Sequence, residues 1–274
     1  MKRAVVGVWA GLSLVGQVAC SQSAKPDKPA ATDDAAVATS EPTPTPAGAR
    51  PAVAWADSAQ LVLGVSDDWD DTTIELTSFN RDGATWTAVA TWDAVIGHTG
   101  LAWGKGAHGD GAPEDRSGPV KTEGDGKSPA GVFAIGKAYG YARSAPLGAS
   151  VPYTPVDGKW RCIDDPASAH YTRILDESTV TKDWRSAETM KRRDELYRWV
   201  VEIEHNAGAT PGGGSCIFFH LWRDPEGATV GCAAMGRDEM ESMIAWLDPT
   251  KKPVVVLLPR AELDALRKTW QLPD

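Results

Sequence analysis

The sequence predicts a mainly β domain with a few flanking helices. Three strand-like segments follow one another between turns that contain Asp and Gly, and a further apolar strand precedes a glycine-cysteine pair late in the chain. Helical periodicity is confined to short stretches of the second half. With 274 residues and 42% hydrophobic content, the chain can form one domain with a proper core plus appendages.

Met1–Cys20 is predicted to be a targeting segment. A basic start precedes an apolar run that is too short and too rich in glycine for a transmembrane helix. The run ends in Gln17-Val18-Ala19-Cys20, which resembles a bacterial lipobox with Gln17 in place of the usual Leu. Cys20 is therefore expected to carry lipid, and an ordinary secretory signal cut near Ala19 stays open. Both interpretations predict an exported protein of the periplasm or cell envelope, anchored to a membrane by lipid alone if at all.

Residues 21–56 are predicted to be a disordered linker. The segment consists mainly of Ala, Pro, Thr and Asp, with almost no large apolar residues. It cannot bury enough surface to offset the entropy of ordering. Such a linker would tether the anchor to the folded part of the chain, which is expected to span residues 57–274.

The elements of this domain are predicted in chain order from periodicity and turn residues. Strands are expected at Gln60–Ser66, Thr72–Phe79, Ala84–Trp92, Gly131–Ile135, Trp199–Glu204, Ser215–Trp222 and Val254–Leu258. Helices are expected at Ser186–Glu195, Arg237–Leu247 and Arg260–Trp270. A glycine-rich loop over residues 97–126 and an irregular stretch over residues 139–183 complete the domain.

The predicted strand Ser215–Trp222 and the residues after it carry the candidate chemistry. Alternate side chains of a strand share a face, so Cys216, Phe218, His220 and Trp222 are expected to point one way. A loop then leads to Gly231 and Cys232.

Cys232 is the candidate nucleophile and His220 its candidate base. A cysteine becomes a strong nucleophile when a nearby base favours its thiolate, and a spacing of twelve positions across a short loop suits two neighbouring strand ends. Gly231 allows a sharp turn that brings N–H groups towards a substrate carbonyl, as in an oxyanion hole. Cys216 competes poorly, because roughly 13 Å of strand separates it from His220. Either residue alone is typical of core packing, whereas the pair favours catalysis.

This pattern resembles the YkuD-type L,D-transpeptidases. The residues that carry the resemblance are Gly214 to His220, Thr229-Val230-Gly231-Cys232, Lys121 to Phe133, Cys162 to Pro166, and His205-Asn206. The chain looks like a divergent branch, because the commonest motif has His before Gly-Cys and Arg two places after Cys. Here Val230 and Ala234 occupy those positions.

The resemblance implies a β-sandwich or cupped pair of sheets and a peptidoglycan L,D-transpeptidase. In that reaction Cys232 takes the acyl group of a stem tetrapeptide as a thioester and passes it to an amine. Gly231, Thr229 and His205 are expected to serve the oxyanion or the substrate, and a structural role for His205 stays open.

Other classes of function remain open. If water attacks the thioester, the enzyme is an L,D-carboxypeptidase, and another cysteine hydrolase of the cell wall is conceivable. The papain-like order places Cys well before His, whereas His220 comes first here. The absent motif Arg leaves a non-catalytic wall-binding lipoprotein as a further alternative.

Cys162 and Cys216 are expected to form a disulfide. The chain has four cysteines, of which Cys20 is assigned to the anchor and Cys232 to catalysis. Spare thiols of exported proteins tend to pair in an oxidising environment. Two buried, unpaired thiols are the alternative.

Neither nucleic acid nor a cofactor is an expected partner. The formal net charge is −9, and the basic triplet Lys191-Arg192-Arg193 is interpreted as a solvated helix face. The chain has no C-x-x-C or H-x-x-x-H motif, and its five histidines are widely spread, so no metal site is expected.

Overall fold

The computed structural model describes residues 53–274, so the predictions for the targeting segment, for Cys20 and for most of the linker lie outside it. The described part includes the end of the predicted linker. Trp55 is buried there and packs edge-on against Trp270, with ring centroids 5.3 Å apart. The folded domain therefore takes in residues before position 57, because a buried tryptophan belongs to the core.

The domain is mainly β, as predicted. Its strands are β1 (Gln60–Ser66), β2 (Thr73–Asp82), β3 (Thr85–Val95), β4 (Leu101–Trp103), β5 (Lys105–Gly106), β6 (Gly109–Asp110), β7 (Ser128–Gly140), β8 (Tyr153–Pro155), β9 (Trp160–Cys162), β10 (Ile174–Asp176), β11 (Glu188–Thr189), β12 (Val200–Ile203), β13 (Phe218–Leu221), β14 (Ala233–Met235) and β15 (Val254–Pro259). Two α-helices, α1 (Arg237–Trp246) and α2 (Arg260–Leu266), lie near the C-terminus.

Eight of these strands form a closed path. Their order is β12-β13-β14-β3-β2-β1-β15-β7, and β7 pairs with β12 to complete the circuit. The cupped sheets implied by the resemblance are thus joined into one barrel-like sheet. Closure leaves β13 paired on both sides, antiparallel to β12 and parallel to β14.

The main hydrophobic core is built on the strands of this circuit. It includes fully buried residues of β15, such as Val255 and Val256, and residues of the two helices. The predicted apolar stripe of α1 is buried at Met240, Met243, Ile244 and Leu247. Burial of that stripe is what an amphipathic helix gains by packing on a sheet.

A second cluster lies beside the candidate site. Phe218 belongs to it, whereas Ile217, Phe219 and Leu221 belong to the main core. The alternation predicted from the sequence is therefore present around β13. The second cluster also holds Cys232.

The predicted helix Ser186–Glu195 is wrong. The segment contains the short strand β11, which pairs with β9. The Met190 N–H bonds to the Trp160 carbonyl at 3.1 Å, and both carboxylate oxygens of Asp194 accept from Arg192. Tertiary pairing has overridden the helical pattern, so the basic triplet does not lie on a helix.

The predicted strand Ser215–Trp222 is longer than the observed one. Cys216 has φ of +56°, a left-handed conformation that interrupts an extended strand. β13 therefore begins only at Phe218. The stretches predicted as loops at 97–126 and 139–183 contain several short strands, β4 to β6 and β8 to β10.

Within residues 53–274, no helix has both the length and the apolar character needed to cross a membrane.

Candidate active site

His220 and Cys232 lie on neighbouring strands at one end of the sheet. His220 belongs to β13, and Cys232 immediately precedes β14. The register places Phe219 opposite Ala233 and His220 opposite Ala234, in a parallel pair. The short loop between the strands thus places Cys232 next to the strand that carries His220, as the spacing of twelve positions between the two residues predicts.

The His220 ring is oriented by the backbone carbonyl of the next residue. Nδ1 lies 2.7 Å from the carbonyl oxygen of Leu221. A carbonyl can only accept, so Nδ1 carries the hydrogen, and Nε2 of the neutral ring is left with a free lone pair. Burial lowers the pKa of His220 to about 4, so the ring is neutral at pH 7. The Leu221 carbonyl is a site component that no side-chain pattern reveals.

The Cys232 side chain is almost fully buried, with 4% of the residue exposed. Its Sγ lies 3.5 Å from the carbonyl oxygen of Cys216, to which the thiol donates. Burial, together with the nearby Glu188 carboxylate, raises the pKa of the Cys232 thiol well above its usual value. The resting site therefore holds a neutral thiol and a neutral imidazole on paired segments of the sheet, rather than an ion pair.

A cleft of about 380 Å³ opens onto the thiol. Its walls come from the turn after β3, the loop before β7, the residues after β9, strand β11, the segment before β13 and the turn before Cys232. The lining side chains include His98, Lys121, Glu123, Asp164, Glu188 and Val230. This volume is typical of a site for part of a small molecule or a short peptide.

Gly231 and Thr229 brace the nucleophile turn. Gly231 has φ of +146°, which favours glycine. The Thr229 hydroxyl accepts from the Gly231 N–H at 3.0 Å and donates to the Cys232 carbonyl at 2.7 Å. Ser128 supports the same turn by donating to the Gly231 carbonyl at 2.7 Å. The Gly231 N–H is thus bonded to Thr229 in this conformation, and the expected part of Gly231 and Thr229 in binding an oxyanion or substrate stays a prediction.

His205 does not line the cleft with Cys232. Its Nε2 donates to the Gly213 carbonyl at 2.9 Å, and its Nδ1 accepts from the Lys105 N–H at 3.3 Å. Both ring nitrogens bond to backbone groups, which favours the structural role that the sequence left open, while the substrate role stays a prediction. His205 holds the glycine-rich loop that precedes β13.

Cys162 and Cys216 form a disulfide, with Cα atoms 5.9 Å apart. The bond links β9 to the residue whose carbonyl meets the Cys232 thiol. Among the cysteines of residues 53–274, Cys232 alone is free. The bridge therefore helps to fix one wall of the cleft.

Two residues of the site were missed by sequence reasoning. Tyr197 is buried in the cluster that holds Cys232, and its hydroxyl donates to a Glu188 carboxylate oxygen. No motif marks either residue, and Glu188 was placed in a helix that does not form.

The two motif departures have different surroundings. Val230 is 76% exposed at the cleft, so a side chain there can meet a ligand. Ala234 is fully buried in β14, opposite Val95 of β3. An arginine at position 234 would have to be accommodated inside the sheet.

The part of the chain that the structure describes contains no group of three or more His, Cys, Asp or Glu side chains arranged to hold a metal ion.

Comparison with known proteins adds two findings. The family model described as the L,D-transpeptidase catalytic domain matches residues 72–256. Among solved structures, the chain is similar to "Structure of Bdellovibrio bacteriovorus Bd1075", with 12% sequence identity and a TM-score of 0.38. That similarity covers 78% of this chain and 54% of the other, so this chain spans about half the length of that one. No curated protein matches the sequence.

Proposed function

This chain belongs to the family of L,D-transpeptidase catalytic domains, and from that membership we propose that it is a cysteine acyltransferase of peptidoglycan. The proposed donor is a stem tetrapeptide, and the proposed acceptor is an amine of a second stem. The observation that carries this proposal is the buried Cys232 thiol beside a strand whose His220 presents a free Nε2 lone pair.

Acylation begins with the neutral pair. As Sγ attacks the carbonyl carbon of the diamino acid residue, the thiol proton passes to Nε2 of His220. Because the pKa of His220 is lowered and that of Cys232 is raised, proton transfer accompanies attack instead of preceding it. When the C–N bond breaks, the imidazolium returns the proton to the departing amine of D-alanine.

Transfer then reverses these roles. The acceptor amine attacks the thioester carbon, and Nε2 takes the proton that the amine loses. The C–S bond breaks, and the proton on His220 restores the neutral thiol. The Leu221 carbonyl supports both steps, because a hydrogen bond to Nδ1 favours the protonated ring.

Export is part of the same proposal. Peptidoglycan lies outside the cytoplasm, and the sequence of residues 1–20 has the pattern of a signal that ends at a lipid-carrying cysteine. The Ala/Pro/Thr-rich linker would give an anchored domain reach towards the wall.

The test is incubation of the mature chain with purified disaccharide-tetrapeptide, read by mass spectrometry. A cross-linked dimer and free D-alanine are expected. A tripeptide without dimer would instead identify an L,D-carboxypeptidase. Neither product nor any acyl adduct on Cys232 would favour a wall-binding protein without catalysis. Cys232→Ala is the matched control, since it removes the thiol with little change in volume.

A further inference from the structure

Tyr197 contacts the proposed base directly. The centroids of the Tyr197 and His220 rings are 5.1 Å apart, and the ring planes are 65° apart in an edge-on arrangement. Tyr197 is only 3% exposed. Its ring therefore forms part of the surface that holds the imidazole in place.

The Tyr197 hydroxyl faces the other partner of the pair. Tyr197 belongs to the same buried cluster as Cys232, and its hydroxyl acts to lower the pKa of that thiol. In the resting arrangement the same hydroxyl donates its hydrogen to Glu188, which lines the cleft beside Cys232. The hydroxyl hydrogen thus has a carboxylate acceptor in a cluster that also holds the candidate nucleophilic sulfur, a second group able to accept it.

The position of this ring is fixed from several sides. Phe218 packs edge-on against it at a centroid distance of 6.0 Å. The Arg192 guanidinium carbon lies 5.2 Å from the ring centroid, and Asp194 holds that guanidinium through two hydrogen bonds of 2.9 Å. The ring has little room to move, so reorientation is confined to rotation of the O–H bond.

We propose that Tyr197 is a further catalytic residue, whose hydroxyl donates a hydrogen bond to the Cys232 sulfur while that sulfur carries negative charge. Glu188 acts as a positioning residue that accepts this hydrogen when the sulfur is neutral. The proposal rests on the assignment of Cys232 as nucleophile. Charge gathers on the sulfur twice, when His220 takes the thiol proton and when the thioester breaks, and a donor fixed nearby stabilises both moments.

The two residues are expected to act on the thiol in opposite directions. Loss of the Tyr197 hydroxyl removes a donor to the thiolate, so the thiol pKa should rise. Loss of the Glu188 charge removes an electrostatic penalty on the thiolate and frees the hydroxyl to turn to sulfur, so the thiol pKa should fall. A merely structural role would not produce shifts of opposite sign.

The experiment measures the rate of Cys232 alkylation by iodoacetamide against pH in the whole mature chain, read by peptide mass spectrometry. Tyr197→Phe keeps the ring on His220 and should raise the thiol pKa, read as the midpoint of the alkylation rate against pH, by about one unit. At a fixed pH below that midpoint, the alkylation rate should therefore fall about tenfold. Tyr153→Phe is the matched control, because its hydroxyl bonds to the Ala142 carbonyl at 2.7 Å and neither residue lines the cleft. An unchanged midpoint in Tyr197→Phe would overturn the proposal.

Glu188→Gln provides a second arm that does not depend on the folding of Tyr197→Phe. It should move the midpoint downwards by more than Glu123→Gln, which removes another cleft carboxylate that accepts from Tyr171 and Ser215. A shift no larger than that of Glu123→Gln would contradict the role of Glu188. Alkylation needs no peptidoglycan, so these outcomes are independent of whether the chain transfers acyl groups.

Discussion

Nδ1 of His220 lies 2.7 Å from the carbonyl oxygen of Leu221, the next residue in the same strand. The group that orients the candidate base is therefore a backbone atom, held by the pairing of β13 with its two neighbours. Substitution of the Leu221 side chain leaves that carbonyl in place. The orientation of the candidate base thus depends on the strand itself.

Cys232→Ala is expected to abolish formation of the cross-linked dimer while thermal stability stays near that of the wild type. His220→Ala should slow acylation by about 10²–10⁴-fold, the usual contribution of a general base. Both rates are measured by mass spectrometry of the released D-alanine and the acyl-enzyme. Dimer formation by Cys232→Ala would refute the assignment of the nucleophile.

Stability is expected to fall as the pH drops below about 6.5. Burial lowers the pKa values of His205 and His220 to about 4, from an ordinary value of 6.5. Between these values the unfolded chain binds protons that the folded chain excludes, so the free energy of unfolding rises with pH. The loss should be progressive from pH 6.5 down to about 4, on the order of 3 kcal/mol for each histidine.

Urea unfolding at pH 7.5, 6 and 5 measures this dependence. His205→Gln removes one of the buried rings whose pKa is lowered and should give a shallower change with pH, even though it also loses backbone hydrogen bonds. Equal unfolding free energies at pH 7.5 and 5 in the wild type would contradict the prediction.

Reduction of the Cys162–Cys216 bridge should destabilise the domain. The bridge closes a segment with a sequence separation of 54, for which loop entropy predicts roughly 4 kcal/mol. Thermal melting of the wild type with and without a reductant tests this. Cys162→Ala should melt like the reduced wild type and should not respond to the reductant. A wild-type melting temperature unaffected by complete reduction would count against the bridge as a stabilising link.

Gly231→Ala should impair the nucleophile turn. Position 231 has φ of +146°, and a Cβ there would lie 3.0 Å from the Lys127 carbonyl oxygen. We expect a loss of about 1–3 kcal/mol in unfolding free energy, with reduced acylation. Gly208→Ala is the control, because no atom lies within 4 Å of the added Cβ and its φ is not positive. Equal behaviour of the two variants in melting and acylation would show that the turn tolerates a side chain.

Cys20→Ala is expected to release the protein from membranes into a soluble exported fraction. The expectation follows from the lipobox-like sequence before Cys20 and the linker after it. Fractionation of cells, followed by detection of the full chain, measures the distribution. An unchanged distribution would favour an ordinary secretory signal, with Gln17 as the reason.

The sequence could predict those parts of the site that depend on local spacing. His220 and Cys232 are joined by a short loop between two strands, so their neighbourhood follows from periodicity and turn residues alone. Gly231 is recognisable for the same reason. The strand β1 has the predicted bounds, because its apolar run is bounded by clear turn residues.

The rest depends on contacts between residues distant in the chain. Glu188 accepts a hydrogen bond from the Tyr197 hydroxyl, and its position is set by the pairing of β11 with β9. The sequence of this segment has a helical pattern, which predicts neither the pairing nor the contact. Cys216 has a left-handed backbone conformation and is also the residue that the disulfide joins to Cys162, a residue distant in the chain. The backbone groups that bond to both ring nitrogens of His205 belong to Lys105 and Gly213, and no local sequence pattern indicates these bonds.

The closed path of strands has a consequence for hydrogen exchange. β13 has a partner strand on each side, so its amides can exchange with solvent only when a neighbouring pairing opens. Residues 207–216 and 121–127 form no part of that path and lie in turns and irregular backbone. Protection should therefore be highest on the strand that carries the base and lowest on the loops around the cleft. Any opening of the cleft to a bulky ligand would arise in those loops, while the candidate base stays fixed.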